Sequence, residues 1–224
     1  MKNLIFLLSI TGLVLMSCKG PEGEKAAVSE AAEVAVASGK TVVISTDDSS
    51  IGWVGSKPTG THTGTIGLSQ GSVTVQDGRI TGGTFIIDMN SITVTDLEGG
   101  KKAGLEGHLK GFSEGKEDHF FNVAKYPTGK FEISKIVTLD GDEEANSTVY
   151  GNLTIRDITK EVGFRANIEV SGERVNVTSP QFTIDRTQWG VNYGSQSVFD
   201  NLGDKFINDE IALSLNITGG QAAI

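Results

Sequence analysis

The sequence predicts an all-β protein, most simply an antiparallel β-barrel of about eight strands, and three observations carry that expectation. From Thr41 to the C-terminus apolar residues recur at every second position, the period of a strand with one dry face. Gly and Asp clusters separate these runs, and no stretch sustains a helical period. Glycine is abundant, 29 in the chain, and stands inside strand runs at Gly55, Gly64, Gly82, Gly83, Gly151 and Gly163, where barrels bend and bulge. A two-sheet sandwich is the second architecture, since it could use some of the same glycines.

The first element is a leader. Lys2 precedes an apolar run over residues 4–16 that is too short to span a bilayer, and Ser17 is the small residue before a cut. Residues 1–17 are therefore expected to be a lipoprotein signal peptide. Leu15, Met16, Ser17 and Cys18 match the bacterial lipobox, which makes Cys18, the only cysteine, the expected lipid anchor. Two or more acyl chains hold stably where one does not, because each buried methylene contributes about 0.8 kcal/mol. Cleavage takes away only Lys2 among charged residues, so the net charge moves from −9 to −10. Nucleic acid is excluded as a partner on that balance, since phosphate binding needs clustered Lys and Arg. With Cys18 acylated no thiol is left for a disulfide, a zinc cluster or a redox pair.

Residues 18–40 come next. Their Ala, Gly, Glu and Ser content predicts a flexible tether, with a transient helix over residues 26–36 as the alternative local structure. Residues 41–219 then form the barrel domain, with strands expected at 41–45, 51–56, 62–68, 72–76, 79–89, 130–139, 147–156, 162–171, 174–186 and 209–218. Alternation is clearest where Val162, Phe164, Ala166, Ile168 and Val170 share one face, and Ile211, Leu213, Leu215 and Ile217 repeat it. Phe85, Ile87 and Met89 do the same, as do Phe131, Ile133 and Val137, with Lys135 breaking the pattern. Residues 90–127 fit no ladder and predict a short helix or irregular lid over one barrel mouth, rich in Phe112, Phe120, Phe121 and Tyr126.

Four ordered motifs run through about residues 40–218. They are Trp53, Gly55, Lys57, Gly60, His62 and Gly64 with Ile80, Gly82, Gly83, Phe85, Asp88, Met89 and Ser91; then His108 and Leu109 with Phe120, Phe121, Tyr126 and Pro127. Next come Gly151, Leu153, Thr154, Ile155, Arg156, Ile158, Thr159 and Lys160, and finally Phe182, Ile184, Arg186, Thr187, Trp189 and Gly190. Together these four motifs resemble the YceI-like family; Asn122 and Asp157 depart from its pattern and are read as surface changes. The resemblance implies a lipocalin-like barrel with a loop or short-helix insertion, whose long apolar cavity holds an isoprenoid or other amphiphilic lipid. Small inward residues (Gly83, Gly151, Ala166) are expected to leave room for it. Several isoprene units at about 0.8 kcal/mol per methylene reach micromolar affinity after association costs.

The candidate ligand-binding residues are Trp53, Phe85, Ile87, Phe112, Phe120, Phe121, Phe164, Phe182, Arg186 and Trp189. Arg186 follows an alternating apolar run, so either a phosphate head group or a barrel-end ion pair with Asp185 or Asp88 is open to it. No catalytic or metal-ligating set is expected. His62, His108 and His119 show no close-spaced ligand pair, and no strained nucleophile elbow is read between a strand and a helix. His62 is expected to bond across the first hairpin. The expected protein is thus no enzyme and needs no cofactor. It would sequester or carry a lipid in the envelope of a Gram-negative bacterium, and Lys19 points away from inner-membrane retention toward the outer membrane. The alternative is a structural or stress-related envelope protein with a packed barrel acting through protein partners, and pairing as a homodimer stays open.

Overall fold

The computed structural model describes residues 20–220, so the leader and Cys18 lie outside the described residues. Twelve strands and one helix follow one another: β1 (Glu24–Lys25), β2 (Ala27–Glu30), β3 (Lys40–Val43), β4 (Ser50–Lys57), β5 (Gly60–Gln76), β6 (Arg79–Val94), α1 (Gly99–Lys110), β7 (Thr128–Thr138), β8 (Ser147–Ile155), β9 (Ile158–Ser171), β10 (Arg174–Thr178), β11 (Phe182–Asp185) and β12 (Glu210–Gly219). Antiparallel ladders run β4, β5, β6, β7, β8, β9, β10, β12 and back to β4, which closes an eight-strand barrel. Closure removes most free edges, the weak point of an open sheet, and leaves one between the first half of β9 and β11.

Two wall strands are broken, and each break has a local cause. β3 pairs the second half of β5 and β4 the first, with the Ile44–Gly219 bridge carrying the wall past the gap. Ile44 is 3 % exposed and fills space that side chains at Gly71 and Gly219 would occupy. The other break, at residues 179–181, splits the predicted run 174–186 into β10 on one half of β12 and β11 on the other. Conversely, the two strands expected at 62–68 and 72–76 are one 17-residue strand, kept continuous by register shifts around Ser69 that let Ile66, Leu68 and Val73 all turn inward.

The predicted tether is the largest departure. Instead of hanging free or forming a helix, the arm lays β1 parallel to β11 and β2 antiparallel to β9. Ala26 and Val28 turn toward the core while Ala27 and Ser29 face out. Beyond Glu30 the arm crosses the outer wall: Asn152 bonds both the N–H and the carbonyl of Ala32 (2.9 and 2.7 Å), Ala35 donates to the Ile133 carbonyl (3.0 Å), and Ser38 bonds Thr81. Asn152 is buried for that reason. Unpaired strand backbone on β9 and β11 supplies the hydrogen bonds that order so polar a segment.

Smaller corrections follow from register. A shift between Ile133 and Lys135 puts Ile136 inward and leaves Val137 46 % exposed, so the Lys135 exception marks a bulge after which the phase reverses. Lys135 stands 4.3 Å over the Tyr150 ring outside. Asp157 sits with Arg156 in a two-residue hairpin at φ +62° and +50°, the geometry glycine favours there. Asn122, also left-handed at φ +45°, is 9 % exposed and donates to Asp118 at 2.8 Å, so it holds the mouth loop from inside.

Candidate functional site

Register places the β4–β5 turn, the end of β6, α1 with the loop to β7, the β8–β9 turn and the loop after β11 at one end of the barrel. That end is the mouth. Below it lies an inner chamber of about 140 Å³ lined only by apolar side chains, among them Ile44, Leu68, Ile87, Met89, Ile133, Val149 and Leu215. An apolar hollow of this size stays dry, because water there finds no hydrogen-bond partner. Above it a vestibule of about 350 Å³ mixes apolar walls with Lys57, His62, His108, Tyr193 and Lys205. Ile66, Phe121, Ile211 and Leu213 belong to both spaces and form the neck between them.

An aromatic belt crosses the chamber wall. Phe85 meets Phe131 at 6.3 Å between centroids, Phe131 meets Phe164 at 5.8 Å, and Phe164 stacks on Phe182 at 4.5 Å with 6° between planes. Two of the small inward residues, Gly83 and Gly151, make room for neighbouring side chains rather than for the hollow. A Cβ at Gly151 would stand 2.3 Å from Cζ of Phe131, and one at Gly83 would meet Val73 and Ile133, so both positions are already filled by neighbours.

Of the predicted residues, Phe85, Ile87, Phe164 and Phe182 line the chamber, Phe121 lines the neck, and Trp53, Phe120 and Arg186 line the vestibule. Two lie elsewhere. Phe112 is 63 % exposed, because left-handed Gly111 ends α1 and turns the chain outward. Trp189 is fully buried beside the barrel wall and donates Nε1–H to the Leu153 carbonyl at 3.0 Å. Arg186 borders the vestibule, yet its guanidinium is occupied: Nε donates to the Asn208 carbonyl, Nη1 to Val191 and Nη2 to Ile207, with Asp209 at 3.6 Å. Burial pushes its pKa down, and Asp209 and Asp185 partly offset that. It is the clamp of the loop at 186–209.

The mouth also holds Tyr193, which the sequence did not single out. Tyr193 stacks on His119 at 4.0 Å, meets His108 edge-on and lies tilted against Phe120. Nothing in the local pattern marks a lone tyrosine 74 residues from its ring partner. His108 Nε2 and His119 Nδ1 lie 2.9 Å apart, so one of them donates to a neutral partner. Burial first, then the charges of His119 and Lys116, hold the His108 pKa below its ordinary value. Arg156 ties the lid down, donating to the carbonyls of Phe120 (3.0 Å) and Gly190 (2.9 Å) and pairing with Asp118. His62 bonds Asp96 at 2.8 Å, across β5 to the end of β6 rather than across its own hairpin with β4. Trp53 lies over Gly64, and its buried indole N–H has no acceptor.

Two stretches carry the G-x-S-x-G spacing, Gly67 to Gly71 and Gly111 to Gly115. The first lies within β5 and the second follows the end of α1, so neither makes the strand-to-helix elbow that exposes a nucleophile. Among the described residues no group of three or more His, Cys, Asp or Glu is arranged to hold a metal ion.

A family model described as the YceI-like domain matches residues 43–219. Among solved structures, Burkholderia cenocepacia BcnA superposes with a TM-score of 0.59 at 17 % identity, over 79 % of this chain and 99 % of that one. A polyisoprenoid binding domain from Saccharophagus degradans, implicated in plant cell wall breakdown, superposes at 0.57 and 15 % identity, over 85 % and 100 %. No curated protein matches the sequence significantly.

Proposed function

Because the chain belongs to the YceI-like domain family, we propose that it binds an amphiphilic lipid, with an isoprenoid or similar apolar tail in the inner chamber and the polar head in the vestibule. The observation that carries this reading is the division of one hollow into a wholly apolar part and a polar part joined by an apolar neck. Apolar lining supplies affinity in proportion to the tail it covers, and a few polar groups at the mouth fix which end points out. The unpartnered Trp53 N–H and the nearby Lys57, Lys205 and histidines favour a head that accepts hydrogen bonds. The Saccharophagus degradans domain, described as polyisoprenoid binding, supports the choice of tail. In this reading no chemistry is performed, and the protein sequesters or carries its ligand as an envelope lipoprotein anchored through Cys18.

Protein purified from its native host should release an apolar amphiphile into an organic extract, detected by mass spectrometry. An empty extract from folded protein that also takes up no fluorescent polyene fatty acid contradicts the proposal. The anchor is tested separately: Cys18→Ser should move the protein from the membrane to the soluble envelope fraction, and retention on the membrane places the anchor elsewhere.

A further inference from the structure

We infer that the barrel has a side portal to its inner chamber, the slot between β9 and β11, and that the chain's own N-terminal arm is the removable strand that closes it. The inference rests on the proposed amphiphile in the chamber.

The slot exists because β10 leaves the wall at Thr178. β9 pairs β10 only from Asn167 to Ser171, so its first half has β8 on one side and no core strand on the other. β11, after the break, pairs β12 and likewise lacks a core neighbour. Only the arm bridges their backbones, through two residue pairs from β1 to β11, four from β2 to β9, and the Ala26 N–H to the Thr183 carbonyl at 2.9 Å, while just inside it Phe164 of β9 stacks on Phe182 of β11. By contrast the β8–β9 ladder holds nine pairs. The arm is thus the thinnest part of the wall.

Directly inside it lie Val162, Phe164 and Phe182, all chamber-lining, so lifting the arm exposes the apolar hollow along its length rather than from its end. The arm's own inward residues are the small Ala26 and Val28. Its charged ties, Glu24 to Arg165, Lys25 to Glu210 and Glu30 to Lys160, each include an arm side chain that is more than half exposed, and such pairs hold weakly. Local opening at a short, weakly tied strand precedes opening of the long ladders. A tail can then leave sideways, without threading through the neck at Phe121. The arm lies outside residues 43–219, which match the family model. Cys18 is six residues before Glu24. An acyl anchor there holds the slot within about 20 Å of the lipid surface, at roughly 3.3–3.6 Å per extended residue.

The test locks the arm. In the mature chain carrying Cys18→Ser, Ser29→Cys and Glu161→Cys introduce the only two thiols, at facing positions of the β2–β9 register and outside the chamber. Uptake of a fluorescent polyene fatty acid is followed by stopped flow in the oxidised and the reduced form. The oxidised form should load at least tenfold more slowly. Equal or faster loading, with the disulfide verified by mass, overturns the portal. Loading by neither form overturns the lipid-binding reading itself and the portal with it. Hydrogen exchange of the unmodified chain gives a second reading: amides of Ala26 to Glu30 should exchange at least tenfold faster than those of β8, and equal protection contradicts the inference.

Discussion

Arg186 shows how far a single residue can be read in advance. Its place after an alternating run put it near the cavity, and it does border the vestibule. Its task was not legible, because the carbonyls of Val191, Ile207 and Asn208 that consume its donors belong to an irregular loop with no sequence period. Removing the guanidinium strands those acceptors and the Asp209 carboxylate together. Arg186→Leu should therefore lose about 3 kcal/mol or more of stability in urea denaturation, the usual cost of breaking a buried ion pair by removing one partner. A variant of unchanged stability that loses polyene binding would make Arg186 a ligand group instead. Phe112 and Trp189 teach the complementary lesson: aromatic identity predicts burial or contact, but a left-handed glycine or an indole hydrogen bond decides where the ring goes.

At the scale of elements, period-two alternation located most strands, since one face of each meets a dry core. What it could not give was phase across a bulge, and so Val137 was expected inside while the structure places Ile136 there. Inward glycines were a second blind spot, because a missing side chain signals close approach as readily as open space. Gly151→Ala tests which applies. Its Cβ would sit 2.3 Å from Phe131 and 2.7 Å from the Glu132 carbonyl, so the β7–β8 ladder must shift. We expect a loss of about 1–3 kcal/mol, the range for overpacking, measured as a lower denaturation midpoint. A neutral or stabilising effect would mean that the belt yields easily and that the position does add to the hollow. The arm was illegible for another reason. Residues 24–30 carry almost no apolar signal, and the edges they complete arise only when β10 breaks from β11 in three dimensions.

For the whole molecule, closure of the wall was readable from glycine placement and the lack of helical period, and the ring of eight ladders agrees. The division of the interior was not, because it depends on which inward side chains reach across and which stop short. Val149 stands where the two meet: it pairs with Phe164, is 5 % exposed, and lines the chamber. Replacing it by Phe fills the hollow without touching the vestibule. The most direct measurement is equilibrium titration of the unmodified chain and Val149→Phe with a fluorescent polyene fatty acid, with thermal midpoints checked to show that both are folded. The unmodified chain should bind with a Kd of about a micromolar, and Val149→Phe at least tenfold more weakly. Equal affinity in the two proteins, or no binding by the unmodified chain, would contradict a lipid tail seated in the inner chamber.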